Sequence, residues 1–273
     1  MSECNHDCSS CESKCEKKDF LAIPKESTKI GKMIAVVSGK GGVGKSLVTE
    51  LLAVNTLRKG LRTAILDADV TGPSVPKAFG LHEPACGTED GSAIYPVVTA
   101  QGIKVMSMNL LLSEEGAPVV WRGPVISGAV KQFYTDVLWE DVDFMYVDMP
   151  PGTGDVPLTV FQSLPVDGIV VVTTPQDAVA MIVEKAVRMA EMMDVRILGI
   201  VENMSYVTCP CCGEKFYPYG ESRTRSVAEK YSIPLLGSLP IEPGLAALVD
   251  SGRVEEFEGD YLADATEAVL RSV

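Results

Sequence analysis

The sequence predicts an α/β fold in which a mainly parallel central sheet is flanked by helices on both faces. Three observations lead to this prediction. From Lys32 onward, short apolar runs rich in β-branched residues alternate with longer helical stretches, as in successive strand–helix–strand units. A glycine-rich loop joins the first apolar run to the first helical stretch. The chain has 273 residues, 46% of them hydrophobic, which is enough for one large buried core.

The predicted strands are the short apolar runs, taken in chain order. They cover residues 33–38, 63–67, 103–108, 144–148, 168–173, 196–202 and 235–239. Helices are predicted where apolar residues recur at helical spacing, at residues 45–59, 125–138, 179–193, 223–231 and 262–271. Gly60 stands directly after the first of these, where helices commonly end. The irregular stretch 84–96 is predicted to be a loop.

Charge and hydropathy narrow the range of partners. The formal net charge is −13 and the pI is near 4.7, so a phosphate-rich partner such as nucleic acid or an anionic membrane would be repelled. No apolar run approaches the ~18 residues that cross a bilayer, and the polar start lacks the layout of a signal peptide. We therefore expect a cytoplasmic protein that binds neither nucleic acid nor membrane.

A phosphate-binding loop is predicted directly after the first strand and directly before the first helix. It reads Gly39-Lys40-Gly41-Gly42-Val43-Gly44-Lys45-Ser46 and satisfies the pattern G-x-x-x-x-G-K-[ST]. Its glycines let backbone amides wrap phosphate oxygens, and the following helix directs its positive end at the same anion. Lys45 would neutralise the β- and γ-phosphates, and the Ser46 hydroxyl would bind Mg²⁺. The fold class is therefore a P-loop NTPase with ATP and Mg²⁺ as cofactors.

Aspartates follow two of the predicted strands. Asp148 ends an apolar strand, the usual place for the carboxylate that contacts Mg²⁺, here through a water. Asp67 ends another strand and would assist from the same region. Asp69 lies two residues further on, near the phosphates. Asp155 lies in a glycine-rich segment that would move when the γ-phosphate is lost, or else it caps a helix.

Seven of the eight cysteines form two tight groups, which favours metal binding over disulfides in a reducing compartment. The second group is Cys209-Pro210-Cys211-Cys212. A C-x-x-C pair offers two thiolates, whereas zinc or a [4Fe–4S] cluster needs four ligands. The simplest completion is a twofold axis that brings Cys209 and Cys212 of two chains together. Cys211 leaves the choice of pair slightly ambiguous, but adjacent cysteines seldom direct both sulfurs at one ion.

The first cysteine group lies in residues 1–30, which we interpret as a flexible arm ahead of a P-loop ATPase domain at 31–273, with the cysteine segment near 203–220. The arm carries Cys4, Cys8, Cys11 and Cys15, enough ligands for a closed site. A [4Fe–4S] cluster is the first interpretation, zinc the second and an inert tail the third.

The second lysine of the phosphate loop, Lys40, is not required by the general pattern. It makes the loop resemble the deviant Walker A ATPases, the group of MinD, ParA, ArsA and the nitrogenase iron protein. That resemblance implies that catalysis needs a homodimer, in which Lys40 reaches across to the partner's nucleotide.

From Lys32 to the C-terminus the chain also resembles the Mrp/ApbC/Nbp family of iron–sulfur cluster carriers. The motifs that carry the resemblance are D-A-D-V-T-G-P-S at 67–74, P-P-G-T-G-D at 150–155, E-N-M-S-Y at 202–206 and the C-P-x-C turn. It implies that Asp69 helps to activate the attacking water and that Asn203 contacts adenine. Pro240 would complete the base pocket or merely end a strand. Some Nbp-type members hold a second cluster on an N-terminal four-cysteine motif, with wider spacing than here.

The resemblance implies an ATP-hydrolysing homodimer that transfers [4Fe–4S] clusters from assembly scaffolds to apo client proteins. The alternative is a positioning or regulatory ATPase like MinD or ParA. Membrane switches of that kind use a basic amphipathic terminal helix, whereas residues 254–273 are rich in carboxylates with one arginine, Arg271. A reductase like the nitrogenase iron protein is less well supported, because its cluster cysteines lie on two separate loops.

Overall fold

The computed structural model describes residues 21–112, 123–152, 154–176 and 179–273. Within these residues nine strands form one sheet, in which β1 is central and lies between β5 and β6. β2 continues the sheet beyond β5, followed by β4 and β3, while β7 and then β9 extend it beyond β6. The strands are β1 Lys29–Ser38, β2 Thr63–Asp67, β3 Val97–Val98, β4 Lys104–Met106, β5 Asp141–Asp148, β6 Gly168–Thr173, β7 Ile197–Thr208, β8 Lys215–Phe216 and β9 Leu235–Pro240.

Most strand pairs are parallel, and only β3 with β4 and β8 with β7 are antiparallel among the described residues. The helices are α1 Lys45–Arg58, α2 Val75–Ala78, α3 Gly123–Thr135, α4 Asp155–Ser163, α5 Val179–Met193, α6 Thr224–Lys230, α7 Pro243–Asp250 and α8 Ala263–Ser272. Two short 3₁₀ helices cover Met108–Leu110 and Val254–Glu256. None of the described helices is both long and apolar enough to cross a bilayer.

Helices cover both faces of the sheet, and the central strand shows why. Met33 and Val37 of β1 pack into one apolar cluster with α3, α4 and α5. Ile34 and Val36 point the other way, into a second cluster with α1, α2, α7 and α8. Because alternate residues of a strand face opposite sides, a parallel strand covered on both faces must be apolar throughout. The predicted fold class is confirmed.

Three helices, α2, α4 and α7, were not predicted from the sequence, and each carries a proline in its first turn, which is Pro76 in α2. Pro157 lies in the first turn of α4 and Pro243 opens α7. A proline costs nothing at these positions, because the first amides of a helix have no partner inside the helix. Glu242 caps α7, and its carboxylate accepts a hydrogen bond from the Gly244 amide at 3.1 Å.

Strand boundaries also differ from expectation. β1 begins at Lys29 rather than residue 33, so residues 29 and 30 pair with β5 instead of lying in the arm. The Ala22 amide donates to the Ser163 carbonyl at 2.7 Å, so the chain already contacts the domain there. β7 continues to Thr208 rather than ending at 202. The cysteines of the predicted arm, Cys4, Cys8, Cys11 and Cys15, lie outside the described residues, and the division into arm and domain stays a prediction.

Candidate functional site

The glycine-rich loop lies at the carboxyl edge of the sheet, where β1 ends at Ser38 and α1 begins at Lys45. β5 and β6 flank β1, so their carboxyl ends surround the loop. The loop leads directly into the N-terminus of a 14-residue helix. The unpaired amides and positive dipole end of such a helix attract anions. The predicted phosphate-binding residues 39–46 are therefore gathered at one place suited to a phosphate.

Gly44 is held in place by both its backbone and its neighbours. Its φ is 77°, in the left-handed region, and it precedes α1 as the N-cap residue. A Cβ on Gly44 would lie 2.1 Å from Nδ2 of Asn203. Gly39 is equally confined, since a Cβ there would lie 2.6 Å from Cγ1 of Ile182. Only glycine lets the loop backbone pass this close to its neighbours and still present its amides.

Replacing Gly44 with alanine is therefore expected to weaken nucleotide binding by roughly tenfold or more, a loss of about 1.4 kcal/mol. The new methyl group must displace Asn203 and with it the carbonyl that Asn203 holds. Calorimetric titration with ADP in the presence of Mg²⁺ measures the effect. Gly60→Ala is the matched control, because Gly60 has a φ of 80° but nothing within 4 Å of an added Cβ. Equal affinity in both variants would contradict the steric account.

Asp148, at the end of β5, is fully buried and surrounded by donors from α1. Its Oδ1 accepts hydrogen bonds from Lys45 Nζ at 2.6 Å and Thr49 Oγ1 at 2.9 Å. Its Oδ2 accepts one from Ser46 Oγ at 2.6 Å. The oxygens of Asp148 and Ser46 are hard donors of the kind that Mg²⁺ prefers, so this pair fits that ion. Lys45 neutralises the carboxylate while no phosphate is bound.

Asp67 lies beside Asp148 on the neighbouring strand, since the two are register partners of β2 and β5. It accepts hydrogen bonds from Ser107 Oγ at 2.9 Å and from the Asp69 amide at 3.1 Å. Burial, together with the nearby Asp148 carboxylate and against the opposing effect of Lys45, raises the pKa of Asp67 to about 8. In the nucleotide-free protein the Asp67 carboxyl therefore holds a proton near neutral pH.

This proton gives an expected pH dependence of stability. A carboxyl group with a higher pKa in the folded than in the unfolded protein binds its proton more tightly when folded, so stability falls as the pH rises between the two values. For Asp67 the interval runs from the usual 3.8 to about 8. We expect the free energy of unfolding of the apo protein to fall over this range. In Asp67→Asn this free energy should fall less, and at pH 8 it should exceed that of the native protein. Guanidinium unfolding in magnesium-free buffer measures both, and equal slopes would contradict the expectation.

Glu50 is a buried acid that the sequence analysis did not single out. It is 1% exposed, and its Oε2 has no hydrogen-bond partner among the described residues. Burial raises the pKa of Glu50 well above its usual value, and the carboxylates of Asp148 and Asp67 raise it further. Its signal in the sequence is an acid on α1 inside an otherwise apolar stretch.

The remaining predicted catalytic residues lie nearer to solvent. Lys40 is exposed at the start of the loop. Asp69 is half-buried, and burial raises its pKa, while Lys45 lowers it. Thr71 Oγ1 donates to Asp69 Oδ1 at 3.3 Å. Asp155 opens α4 and is exposed, where a carboxylate complements the positive end of the helix.

Asn203 is buried on β7, against the phosphate loop. Its Nδ2 donates to the Val43 carbonyl at 2.9 Å, and its Oδ1 accepts from the Met204 amide at 2.9 Å. Pro240 ends β9 and is the register partner of Tyr206 on β7. The predicted contacts of Asn203 and Pro240 with an adenine base stay predictions, but Asn203 contacts the nucleotide loop directly.

The second cysteine group forms the tip of a hairpin made by β7 and β8. Strand pairing ends at Thr208 with Lys215, and the Cys209 amide donates to the Glu214 carbonyl at 2.9 Å. The Gly213 amide donates to the Cys209 carbonyl at 2.9 Å, with Gly213 at a φ of 74°. The turn is therefore a defined structure rather than a loose loop.

Within the turn the thiols are not equivalent. Cys209 is half-buried, whereas Cys211 and Cys212 are exposed. The pKa of the Cys209 thiol lies below its usual value because the backbone amides of Cys212 and Cys211 donate hydrogen bonds to its sulfur. Cys209 and Cys212 both line an open cavity of about 570 Å³, and Cys211 does not. The geometry thus separates the predicted ligand pair from the third thiol, and amide donors directed at sulfur suit a metal-bound thiolate.

One hairpin supplies fewer ligands than a cluster needs. Among the described residues, no group of three or more histidine, cysteine, aspartate or glutamate side chains could hold a metal ion. Tetrahedral zinc and cubane iron–sulfur sites take four ligands. A zinc ion or a cubane cluster at Cys209 and Cys212 would therefore need further ligands, from a second copy of the chain or from residues that the structure does not describe.

Comparison with known proteins gives a consistent picture. The family model described as NUBPL iron-transfer P-loop NTPase matches residues 29–273. An iron–sulfur cluster carrier protein of Clostridium perfringens is 45% identical over 234 residues, covering 84% of this chain and 82% of that protein. One of Methanocaldococcus jannaschii is 40% identical over 263 residues, covering 92% and 90%.

Solved structures agree. The Archaeoglobus fulgidus nucleotide-binding protein in complex with ADP has a TM-score of 0.77 and 46% identity, covering 85% of this chain and 90% of that one. The cell division ATPase MinD of Pyrococcus furiosus has a TM-score of 0.62 but 18% identity, covering 89% of this chain and 100% of that one. The likeness to MinD shows a shared fold only.

Proposed function

Because the chain belongs to the family of NUBPL-type iron-transfer P-loop NTPases, we propose that it is an iron–sulfur cluster carrier. In this proposal it binds and slowly hydrolyses ATP, holds a [4Fe–4S] cluster as cargo, and transfers it to apo client proteins. The single observation that carries the proposal is the thiol turn at Cys209 and Cys212, which lies at the tip of a strand that also contacts the phosphate loop. Paired thiols at this turn favour the carrier function over a positioning ATPase of the MinD kind.

The nucleotide would lie across the carboxyl edge of the sheet. The loop amides and Lys45 would bind its phosphates, and Ser46 and Asp148 would hold Mg²⁺. A bound Mg²⁺ supplies neutralisation of the charge that develops during phosphoryl transfer. Lys45 is paired with Asp148 at 2.6 Å, so it must exchange this partner for phosphate oxygens when ATP binds. Asp69 would orient the attacking water.

The cargo site requires two copies of the chain. Each hairpin offers Cys209 and Cys212, and a twofold axis would complete four thiolate ligands. The resemblance of the loop to the deviant Walker A ATPases implies that Lys40 acts across the same dimer, and Lys40 is exposed at the loop. We infer a homodimer in which the nucleotide and the cluster are completed by one assembly. Its partners would be cluster-assembly scaffolds and apo iron–sulfur proteins in the cytoplasm.

The test is a transfer assay. The protein is loaded with iron and sulfide without oxygen, separated from free iron, and mixed with an apo protein that is active only with a [4Fe–4S] cluster. We expect client activity to appear at a rate that changes when ATP and Mg²⁺ are added. The proposal fails if the loaded protein carries no acid-labile sulfide, or if its cluster stays on the carrier under all nucleotide conditions.

A further inference from the structure

Glu202 is a buried carboxylate on β7 that no part of the nucleotide chemistry uses. It is 1% exposed and lies in the sheet between Thr173 of β6 and Ser238 of β9. Three side-chain hydroxyls donate hydrogen bonds to it. Ser205 Oγ binds Oε2 at 2.6 Å, and the hydroxyls of Ser222 and Thr224 both bind Oε1. A buried carboxylate without a cation depends on such donors.

These donors lie on both sides of one segment of the chain, residues 206–221. Ser205 precedes the segment, on β7, while Ser222 and Thr224 follow it, where α6 begins. Between them, residues 206–221 contain the hairpin with Cys209 and Cys212. The Tyr206 carbonyl also accepts a hydrogen bond, at 2.7 Å, from the amide of Ile241, the residue that follows β9. Glu202 thus fastens the base of the cysteine hairpin.

The next residue of the same strand faces the phosphate loop. Asn203 donates to the Val43 carbonyl of the phosphate loop at 2.9 Å, so adjacent residues contact the two sites. Met204 then has a φ of 55°, unfavourable for a residue with a side chain, and the register between β7 and β9 shifts between Glu202 and Tyr206. The strand changes course at the point where both contacts are made.

We infer that Glu202 is a positioning residue that passes the state of the phosphate loop to the cysteine hairpin. The inference rests on the proposed function and names the residue that joins its two halves. When phosphate binding shifts the Val43 carbonyl, Asn203 moves with it, and Glu202 moves as part of the same backbone. The hydroxyls of Ser205, Ser222 and Thr224, which bind Glu202, then pass the displacement to the chain on both sides of the cysteine hairpin. Coupling of this kind needs a physical element that both sites displace, and residues 202–203 form one.

The test measures thiols on the full chain without any cluster. Alkylation of Cys209 and Cys212 by iodoacetamide is followed by peptide mass spectrometry, with no nucleotide and with saturating ADP and Mg²⁺. In the native protein we expect the rate to change about fivefold, the lower end of typical coupling between sites. In Glu202→Ala and in Ser222→Ala the ratio should fall to within about twofold of one, and Glu202→Gln, which keeps two hydrogen-bonding groups, should restore part of it.

Ser226→Ala is the matched control, because the Ser226 hydroxyl also lies on α6 but donates to the Arg223 carbonyl rather than to Glu202. It should keep the native ratio. A purely structural role for Glu202 would speed alkylation equally with and without nucleotide, so the ratio would stay native and the inference would be overturned. A native ratio of one would overturn it as well. Neither result bears on the cluster-carrier proposal. That proposal fails in the transfer assay, when the protein yields no transferable cluster even though its thiols respond to nucleotide.

Discussion

Replacing Cys209 and Cys212 with alanine is expected to remove all of the iron held by the hairpin. The two thiols line the same cavity, and Cys209 receives amide hydrogen bonds from its own turn, so no other described thiol occupies an equivalent position. The double variant should retain its fold, because the hairpin tip is exposed and contributes nothing to the two apolar clusters. Iron and acid-labile sulfide are measured after anaerobic reconstitution.

This measurement is made in a background where Cys4, Cys8, Cys11 and Cys15 are serine, so that the arm contributes no iron. Cys211→Ala is the matched control, since Cys211 belongs to the same turn but does not line the cavity. It should bind iron like the parent. If the double alanine variant kept its iron, the hairpin would not be the cargo site, and loss of iron in Cys211→Ala would assign the ligands differently.

Replacing Lys45 with methionine is expected to weaken nucleotide binding strongly and to destabilise the apo protein. Methionine keeps the length of the side chain but removes the charge. The Lys45–Asp148 pair is almost fully buried, at 6% and 0% exposure, and breaking such a pair costs about 3–5 kcal/mol because the remaining charge loses its counter-ion. The loss of charge-assisted hydrogen bonds to phosphate, about 1.5–3 kcal/mol each, should weaken ADP binding by roughly 100-fold.

Urea unfolding and calorimetric titration with ADP separate the two effects. Lys59→Met is the matched control, because Lys59 is the C-cap residue of the same helix and pairs with Glu267 at the surface. Exposed pairs contribute at most about 1 kcal/mol, and Lys59 is remote from the loop, so both quantities should stay near native. The account of the nucleotide site is wrong if Lys45→Met binds ADP as tightly as the native protein.

Much of the fold could be predicted because its signals are local. Runs of apolar residues mark the buried parallel strands, and the loop pattern marks the turn into α1. The family resemblance is confirmed by the match over residues 29–273. α4 and α7 were missed because Pro157 and Pro243 resemble helix breakers, whereas the first turn of a helix accepts proline. β7 was predicted too short, because its second half pairs only with a two-residue strand and the end of β9.

The site was less predictable, because its contacts join residues far apart in the chain. Sequence spacing brought out Lys45, Ser46 and Asp148 separately, but only the fold shows that they bind one another. Glu50 belongs to no recognised motif, and Glu202 belongs to E-N-M-S-Y at 202–206 without that motif assigning it a role. The structure singles out both because they are buried. Oε2 of Glu50 has no hydrogen-bond partner among the described residues, whereas Glu202 is surrounded by three hydroxyl donors.

We expect one cluster to be shared between two chains. Native mass spectrometry of the anaerobically loaded protein, with the four arm cysteines replaced by serine, tests it most directly. The account predicts a dimer that carries one cubane of about four iron and four sulfide, and no loaded monomer, since a cubane takes four thiolate ligands. With the arms intact and filled by cubanes, the dimer would carry about twelve iron. A monomer that holds a complete cubane, or a dimer that binds none, would contradict the account.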